Sequence, residues 1–361
     1  MKSEGIVLNV FSHRPVASVL CSVVMALALL TLDACKSDSG DPGPAQAGCS
    51  IVFQTNTGSG SETSTLKYTY IAKFGYTYDE KGNQTANTVK YDYTYNDGTT
   101  ATYSGSTSNQ YDAEGFLLRR VSQTNRTERN MSPSFSTYTA EFTYENQRLT
   151  KQTSENTSDG GPKQVYTYLY EYNSDGNLSK FTDVNSNLVT TVTYNGSAIQ
   201  KVTKIDSKGT SSFPFFEYNS KGLLTKWIET NSGYTEEYRY EYDANGQVTR
   251  QERYINGKAN SAYTTEYDTK SSPYAKQYPN PKGHPTIPSH YADVLNKNNM
   301  TRVMYYGPDA GGTGWDLNSS SVYTYDYNAS GFPVAVTINA FDKNGTAKST
   351  STSAYQYQDC Q

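Results

Sequence analysis

Histidine and cysteine, the side chains that most often bind transition metals, are scarce in this chain. The sequence has three His and four Cys, and only His284 and His290 follow the first 34 residues, with no Cys near them. A zinc site requires three or four such ligands in a fixed geometry. The Asp-Gly turns also lack the ligand spacing and the bidentate Glu of a calcium loop. We therefore predict no metal site and no cofactor.

Charged residues are also sparse, and this excludes nucleic acid as a partner. They make up 18% of the sequence, the formal net charge is −4, and Lys and Arg form no cluster. Binding to a phosphate backbone needs a concentrated basic face. The cluster Gly311–Gly314 has no helix pattern and no Lys after it, so it does not indicate a phosphate-binding loop.

The sequence has no catalytic signature. No grouping of Ser, His and Asp can be identified, so we predict no catalytic residue and a protein that is not an enzyme. A carboxylate pair suited to glycoside cleavage would be invisible in a sequence, because its members meet only in space. A glycan hydrolase therefore stays as a distant alternative.

Tyrosine, in contrast, is abundant, with 34 Tyr against 12 Phe and 2 Trp. Many of these Tyr begin a recurring pattern, Tyr-[Asp/Asn]-x-x-Gly, followed by an apolar residue and then a base. The clear copies are Tyr172–Gly176 with Leu178 and Lys180, Tyr218–Gly222 with Leu224 and Lys226, Tyr242–Gly246 with Val248 and Arg250, and Tyr111–Gly115 with Leu117 and Arg119; weaker copies begin at Tyr78 and Tyr327. Tyr and Thr favour strands, and a repeat of this kind decides the architecture of a domain.

We interpret each copy as a β-hairpin with a three-residue loop and its Gly in the left-handed conformation. At Gly176 this places Tyr172 opposite Leu178 and Tyr170 opposite Lys180. Two other copies are one residue shorter, and two-residue turns keep the pairing in both: Tyr144 with Leu149, and Tyr194 with Ile199. A buried face requires that the pairing survive such a change in loop length.

The bases of the pattern are expected to meet aromatic rings across the strands. At the other end of one hairpin, Asn256-Gly257 is a two-residue turn signal that places Arg250 opposite Tyr263. The base falls opposite an aromatic residue in four hairpins: Lys180–Tyr170, Arg250–Tyr240, Lys226–Phe216 and Lys151–Phe142. This predicts cation–π contacts, with simple packing of the side-chain stems on the rings as the alternative.

These short turns predict an all-β fold, an antiparallel up-and-down meander of Tyr-rich hairpins. We expect about 16–18 strands of about 7–10 residues. Tyr should cover one face, and the other should carry charged residues such as Glu171, Arg239 and Glu241. We expect the sheet to curl into a large, barrel-like closed structure that does not span a membrane and is monomeric.

The N-terminus has the features of a processing segment. Lys2, His13 and Arg14 precede an apolar run over residues 16–32, and Leu32-Asp33-Ala34-Cys35 resembles a bacterial lipobox. We predict a signal peptide over 1–34, lipidation of Cys35, and a polar tether over 35–48. The tether resembles the export signals of Bacteroidota surface lipoproteins, which implies anchoring to the outer membrane at the cell surface. An ordinary signal peptide with a chance Cys is the alternative.

The remaining cysteines bear on whether the sheet closes. Cys21 leaves with the signal peptide and Cys35 is acylated, so Cys49 and Cys360 remain at opposite ends of the β domain, residues 49–361. A disulfide requires α-carbons about 4.4–6.8 Å apart, and the ends of an open meander would lie much further apart. We predict a Cys49–Cys360 disulfide and, with it, closure; two unpaired end cysteines are the alternative.

The hairpins resemble the YD repeats of bacterial cell-surface proteins. The order of motifs is similar to that of Bacteroidota lipoproteins of unknown function described as porin-like: hairpins, Tyr267–Tyr274, an irregular insertion, Asn298-Asn299, and Tyr327–Pro333. The resemblance implies a fold and a location, and it brings no catalytic residue. The insertion, residues 271–299, is rich in Pro and has a predicted short helix around His290–Leu295. Such segments are often functional or plug-like, and a solvent-exposed excursion is the alternative.

Three classes of function remain open. We favour a binding module for a glycan or another extracellular ligand, because Tyr faces together with Trp227 and Trp315 could stack on sugar rings. No ligand-binding residue can be assigned from the sequence. A structural or adhesive envelope protein is the second reading, and the glycan hydrolase is the third.

Overall fold

The computed structural model describes residues 50–361, except 62–64, 130, 197, 208, 213, 232, 275–280, 286–296 and 359–361. Three predicted positions, Cys35, Cys49 and Cys360, lie outside the described residues, so lipidation and the disulfide stay predictions. The predicted helix around His290–Leu295 also lies outside them.

The described chain is a single antiparallel meander. Its strands are β1 (Ser50–Ser61), β2 (Lys67–Tyr78), β3 (Gln84–Tyr95), β4 (Thr100–Tyr111), β5 (Leu117–Thr127), β6 (Ser134–Glu145), β7 (Arg148–Ser158), β8 (Gln164–Tyr172), β9 (Leu178–Asp183), β10 (Leu188–Asn195), β11 (Ala198–Asp206), β12 (Gly209–Ser212), β13 (Phe215–Tyr218), β14 (Leu224–Asn231), β15 (Tyr234–Tyr242), β16 (Val248–Ile255), β17 (Lys258–Ser271), β18 (Asn298–Pro308), β19 (Trp315–Tyr327), β20 (Pro333–Asp342) and β21 (Ala347–Gln358). β12 pairs with β11 and β13 with β14, so these two short strands share one place in the sheet. The sheet therefore has 20 strand positions rather than the 16 to 18 expected.

The sheet closes on itself into a barrel. β1 pairs with β21, and Ser50 stands opposite Gln358. Among the described residues the ladder is broken only where β12 passes into β13. The predicted all-β, up-and-down closed sheet is confirmed. Closure pairs the two strands that would otherwise be open edges.

The repeated turn is stabilised by its Asp or Asn. In the loop at 173–177, Gly176 has φ 86° and donates its N–H to the carbonyl of Asn173 at 3.0 Å. Asn173 Oδ1 also accepts the N–H groups of Asp175 and Asn177, at 3.1 and 2.9 Å. The same bonds recur in the loops that begin at Asp79, Asp112, Asn219, Asp243 and Asn328. A short side chain with an acceptor oxygen can bind its own backbone in this way, which explains the Asp/Asn position.

The predicted pairing next to the loop is confirmed, but the pairing beyond it is wrong. Tyr172 stands opposite Leu178 as expected, and then the ladder skips one residue, so Lys180 faces Glu171. This β-bulge leaves an extra residue on the return strand and turns the base to the opposite face. The predicted pairs Lys180–Tyr170, Arg250–Tyr240, Lys226–Phe216 and Lys151–Phe142 do not form, and the bases face Glu171, Glu241, Glu217 and Thr143 instead. Arg250 likewise faces Thr264, not Tyr263.

The two shorter hairpins behave as predicted. Asn146 and Gln147 both have positive φ, 50° and 63°, as a two-residue hairpin turn requires. Tyr144 pairs with Leu149, and Tyr194 pairs with Ile199.

The Tyr face is the inner face of the barrel and carries the core. Three clusters of buried side chains lie on it, built around Tyr240 and Trp227, Phe74 and Tyr91, and Leu149. The other face carries ion pairs such as Lys180–Glu171, with 2.7 Å between Nζ and Oε1. Aromatic and apolar side chains therefore pack on the concave side, and ion pairs such as Lys180–Glu171 face outward.

Candidate ligand-binding lumen

The Tyr of the repeat has a structural role at one end of the barrel. The loops after Tyr78, Tyr111, Tyr172, Tyr218, Tyr242 and Tyr327 all lie at this end, which we call the tyrosine rim. Tyr at the ends of strands donate their hydroxyls to carbonyls at the start of the preceding strand: Tyr78 to Ile51 (3.0 Å), Tyr111 to Gln84 (3.1 Å), Tyr144 to Leu117 (2.9 Å), Tyr172 to Leu149 (2.8 Å), Tyr194 to Leu178 (2.9 Å) and Tyr267 to Val248 (2.8 Å). We call these bonds tyrosine staples. Each joins two strands at the end where no turn connects them.

The stapled Tyr are poor candidates for ligand binding, because their hydroxyls are bound to the wall. Burial raises the pKa of Tyr172 and of Tyr267 to about 12, so both remain neutral donors near neutral pH. The pattern Tyr therefore explains the fold, and a ligand site must be sought elsewhere on the inner wall.

Further from the tyrosine rim, the inner wall carries aromatic rings that are only half-buried. They are Tyr68, Tyr70, Tyr93, Tyr103, Tyr138 and Tyr168, and we call this set the tyrosine lumen. The ring centroids of Tyr68 and Tyr93 lie 5.6 Å apart, edge to face, and the rings of Tyr70 and Tyr93 lie 6.0 Å apart. Burial, followed by the neighbouring Tyr68 and Tyr70, raises the pKa of Tyr93 to about 12. Most of these rings pack against the buried clusters of the inner wall and keep part of their surface accessible.

The two Trp residues do not contribute stacking surfaces to this lumen. Trp227 is only 3% exposed and lies in a core cluster. Trp315 packs edge to face on Tyr254, with centroids 5.6 Å apart, and donates Nε1–H to Glu252 Oε1 at 3.1 Å. Arg250 also donates hydrogen bonds to Glu252, so the Glu252 carboxylate links the guanidinium and the indole on the outer wall.

The described parts of the insertion pack on the barrel. Tyr274 donates its hydroxyl to Gln54 Oε1 at 3.1 Å, next to the seam between β1 and β21. On the far side of the tyrosine rim, Gly283 accepts the N–H of Leu149 at 2.8 Å. His284 Nε2 lies 2.8 Å from the hydroxyl of Tyr144. The described residues of the insertion therefore contact strands at β1 and at β6–β7, which lie well apart in the sheet. The plug-like reading fits these residues better than an exposed excursion.

The motif residues at the ends of the insertion form a clamp. Asp268 Oδ1 accepts the N–H of Asn299 at 3.0 Å, and Oδ2 accepts its Nδ2–H at 3.1 Å. Tyr327 donates its hydroxyl to the same carboxylate. Asn299 is 3% exposed. The resemblance motifs thus hold both ends of the insertion to the wall and supply no reactive group.

Charged side chains on the inner wall are mostly paired. Arg253 Nε lies 2.6 Å from Glu236 Oε1, and Lys204 Nζ lies 2.8 Å from Glu229 Oε1. Within the described residues, no group of three or more His, Cys, Asp or Glu is placed to hold a metal ion. No helix in the described part of the chain is long and apolar enough to cross a membrane.

Comparison with known proteins agrees with the repeat seen in the sequence. The family model named RHS repeat matches residues 218–259, which include the turns at Gly222 and Gly246. The resemblance to these repeats is confirmed for that segment. No curated protein matches the chain.

Two solved structures align with most of the chain at low identity. One is a porin-like protein from Bacteroides uniformis, with 15% identity, 85% of this chain and 96% of that chain covered, and a TM-score of 0.34. The other is a porin-like protein from Bacteroides vulgatus, with 11% identity, coverages of 86% and 99%, and a TM-score of 0.28. Scores this low do not establish a shared fold, so the architecture rests on the strand pairing above.

Proposed function

We propose that this chain is a non-enzymatic cell-envelope protein whose barrel binds a glycan in the tyrosine lumen. The observation that supports this most directly is the set of half-buried Tyr rings on a concave wall. Binding sites are typically concave and lined by aromatic side chains with a few polar groups, and Tyr offers an apolar face and a hydroxyl together. We further propose that the protein is a monomer, anchored to the outer membrane through lipid on Cys35 and exposed at the cell surface.

The charges on the outer wall support a barrel that stays outside the bilayer. Glu237 lies 3.5 Å from Lys226 Nζ and 2.6 Å from Arg239 Nε, within strands that form the wall. A Lys or Arg on the lipid face of a membrane barrel costs about 2–4 kcal/mol at the midplane. A protein that begins at Gly48 should therefore remain in solution without detergent. Folding only in detergent or lipid would contradict this and favour a membrane-spanning barrel.

A glycan array tests the ligand. We expect binding by the wild type, and about tenfold weaker binding, about 1.4 kcal/mol, by Tyr138→Ser. Phe215→Ser is the matched control, because Phe215 is 49% exposed and neighbours the buried Phe216 on the other face of the strand. Equal losses in both variants would argue against the lumen as the site.

Lipidation is tested separately, by metabolic labelling with a palmitate analogue. The wild type should be labelled and Cys35→Ala should not. Label retained in Cys35→Ala would refute the anchor without affecting the proposal for the lumen.

A structural or adhesive envelope role is the second candidate, and the tyrosine staples favour it. In the staples, the Tyr hydroxyls that recur along the repeat bind the wall itself and are not available to a ligand. An array without any bound glycan, together with a domain that resists unfolding, would support this role. A glycan hydrolase remains the distant alternative, and release of reducing sugar from a bound glycan would support it.

A further inference from the structure

Arg120 differs from other basic residues on the inner wall because its hydrogen-bond partner is a neutral amide and not a carboxylate. It stands opposite Asn109, whose buried side chain places this position on the inner face. Arg253, Lys204 and Arg126 each have a carboxylate partner. Within the described part of the chain, Arg120 has no ion pair, and its Nε–H donates to Asn109 Oδ1 at 3.0 Å.

The surroundings of Arg120 offer further neutral polar groups. Burial raises the pKa of the Tyr111 and Tyr144 hydroxyls, and for Tyr144 the Asp112 carboxylate adds to the increase. The Arg120 guanidinium opposes it by a smaller amount in both. Burial first, and Arg120 second, lower the pKa of His284 to about 4, so the imidazole is neutral near neutral pH. Arg120 is therefore the positive charge that acts on His284, with Lys282 nearby over the ring of Phe116, at the end of the barrel where residues 281–285 pack.

The carboxylates of two nearby loops, Asp112 and Asp79, bind groups of their own turns. Asp112 Oδ1 accepts the N–H groups of Glu114 and Phe116, at 2.8 and 2.9 Å. Asp79 binds Asn83 through both oxygens, at 2.8 and 2.9 Å. Each of these carboxylates holds a repeat turn in place, and neither forms an ion pair with Arg120 in the described part of the chain. Among the described residues, Nε is the only nitrogen of the Arg120 guanidinium that forms a hydrogen bond.

We propose that Arg120 binds the carboxylate of an acidic sugar, such as a uronate, at the base of the tyrosine lumen. The planar guanidinium matches a carboxylate through two parallel hydrogen bonds. The half-buried Tyr rings would contact the sugar rings of the same chain. This inference rests on the proposed glycan-binding function and names the class of glycan.

The test uses the full-length mature lipoprotein in mild detergent and isothermal titration calorimetry. The probes are trigalacturonate, a carrageenan oligosaccharide that carries sulfate but no carboxylate, and neutral maltotriose. The variants are Arg120→Gln, Arg120→Lys, and Arg119→Gln as a matched control, because Arg119 is exposed on the outer face. We expect Arg120→Gln to bind trigalacturonate at least tenfold more weakly, Arg120→Lys to keep part of the affinity, and Arg119→Gln to match the wild type.

The outcomes separate this inference from the proposed function. Binding of trigalacturonate with equal affinity by the wild type and Arg120→Gln overturns the assignment of Arg120. Binding of maltotriose alone would contradict an acidic ligand while still supporting glycan binding. If none of the probes binds, the proposed acidic site is also contradicted. Binding of carrageenan but not of trigalacturonate would contradict the proposal that the ligand group is a carboxylate. If Arg120→Gln does not fold, a rise in the wild type's Tm with trigalacturonate but not with maltotriose supports the proposal, and equal shifts overturn it.

Discussion

The tyrosine staples lead to a quantitative prediction at Tyr172. Replacing Tyr172 with Phe removes one hydroxyl and keeps the ring. The lost bond is the one at 2.8 Å to the carbonyl of Leu149, a residue that is fully buried. A net hydrogen bond contributes about 0.5–1.5 kcal/mol, and an acceptor left unsatisfied in the interior adds about 1–3 kcal/mol. Because a carbonyl oxygen has two lone pairs, losing one donor does not leave it wholly unsatisfied, and we expect a loss of about 1–2 kcal/mol in the free energy of unfolding.

The same strand offers a matched control. Tyr166 lies six residues before Tyr172 on β8 and donates its hydroxyl to the exposed Gln164 Oε1 at 2.8 Å. That bond is local and open to water, so Tyr166→Phe should change the stability by less than about 0.5 kcal/mol. Both variants lose the same atom, and only one loses a bond between two strands.

Urea denaturation, followed by far-UV circular dichroism, measures the difference. Hydrogen exchange adds a local readout, because Tyr172→Phe should increase exchange in β7 and β8 more than in β15 and β16. Equal destabilisation by Tyr166→Phe and Tyr172→Phe would show that the hydroxyl affects the free energy of unfolding for a reason other than the bond between the two strands. A loss below about 0.5 kcal/mol for Tyr172→Phe would refute the reasoning directly.

Four further predictions follow from the same structure. Burial raises the pKa of Tyr93, Tyr172 and Tyr267 to about 12 in the folded protein, against about 10 in the unfolded chain. The contribution of these groups to the free energy of unfolding is therefore complete below pH 10 and should be lost as the pH rises from 10 to 12. Urea titrations at stepped pH would measure this loss, and a stability that stays constant over this range would contradict it. Gly222→Ala should cost about 1 kcal/mol, because Gly222 has φ 76° with no atom within 4 Å of an added Cβ; unchanged stability on thermal unfolding would exclude backbone strain. Lys180→Ala should cost less than about 0.5 kcal/mol, because Lys180 pairs with Glu171 on the outer face and not with a ring, and a larger loss in urea would argue for a ring contact. Non-reducing peptide mapping should recover Cys49 linked to Cys360, and two free thiols would disprove the disulfide while leaving the β1–β21 pairing in place.

Local chemistry made several features predictable from the sequence. The Asp or Asn and the Gly of each repeat favour one turn by themselves, so the pairing of Tyr172 with Leu178 could be predicted without knowledge of the rest. The shorter loop after Tyr144 could be placed for the same reason. Closure was also predictable, although the argument for it used Cys49 and Cys360, whereas the structure shows it through the pairing of Ser50 with Gln358.

The candidate site could be predicted only in part. A Tyr-covered inner face follows from alternation along each strand, but the division into stapled Tyr and half-buried lumen Tyr does not. The pattern drew attention to Arg119 instead of Arg120. Alternation from Leu117 predicts Arg119 on the Tyr face, and only the β-bulge next to the loop turns Arg120 inward. Trp227 and Trp315 attracted attention as rare aromatic residues, yet one lies in the core and the other on the outer wall.

The sequence by itself determined the hairpins, because each is set by a few adjacent residues acting through backbone geometry and short hydrogen bonds. The face to which the bases point depended on a β-bulge, and a shift of one residue reverses every side chain beyond it. The staples join residues 16 to 27 positions apart, and the contact between Tyr144 and His284 spans 140. The staples form only when the two strands of a hairpin pair along their whole length, and the contact of Tyr144 with His284 forms only when the insertion returns to β6, so the tertiary structure decided them.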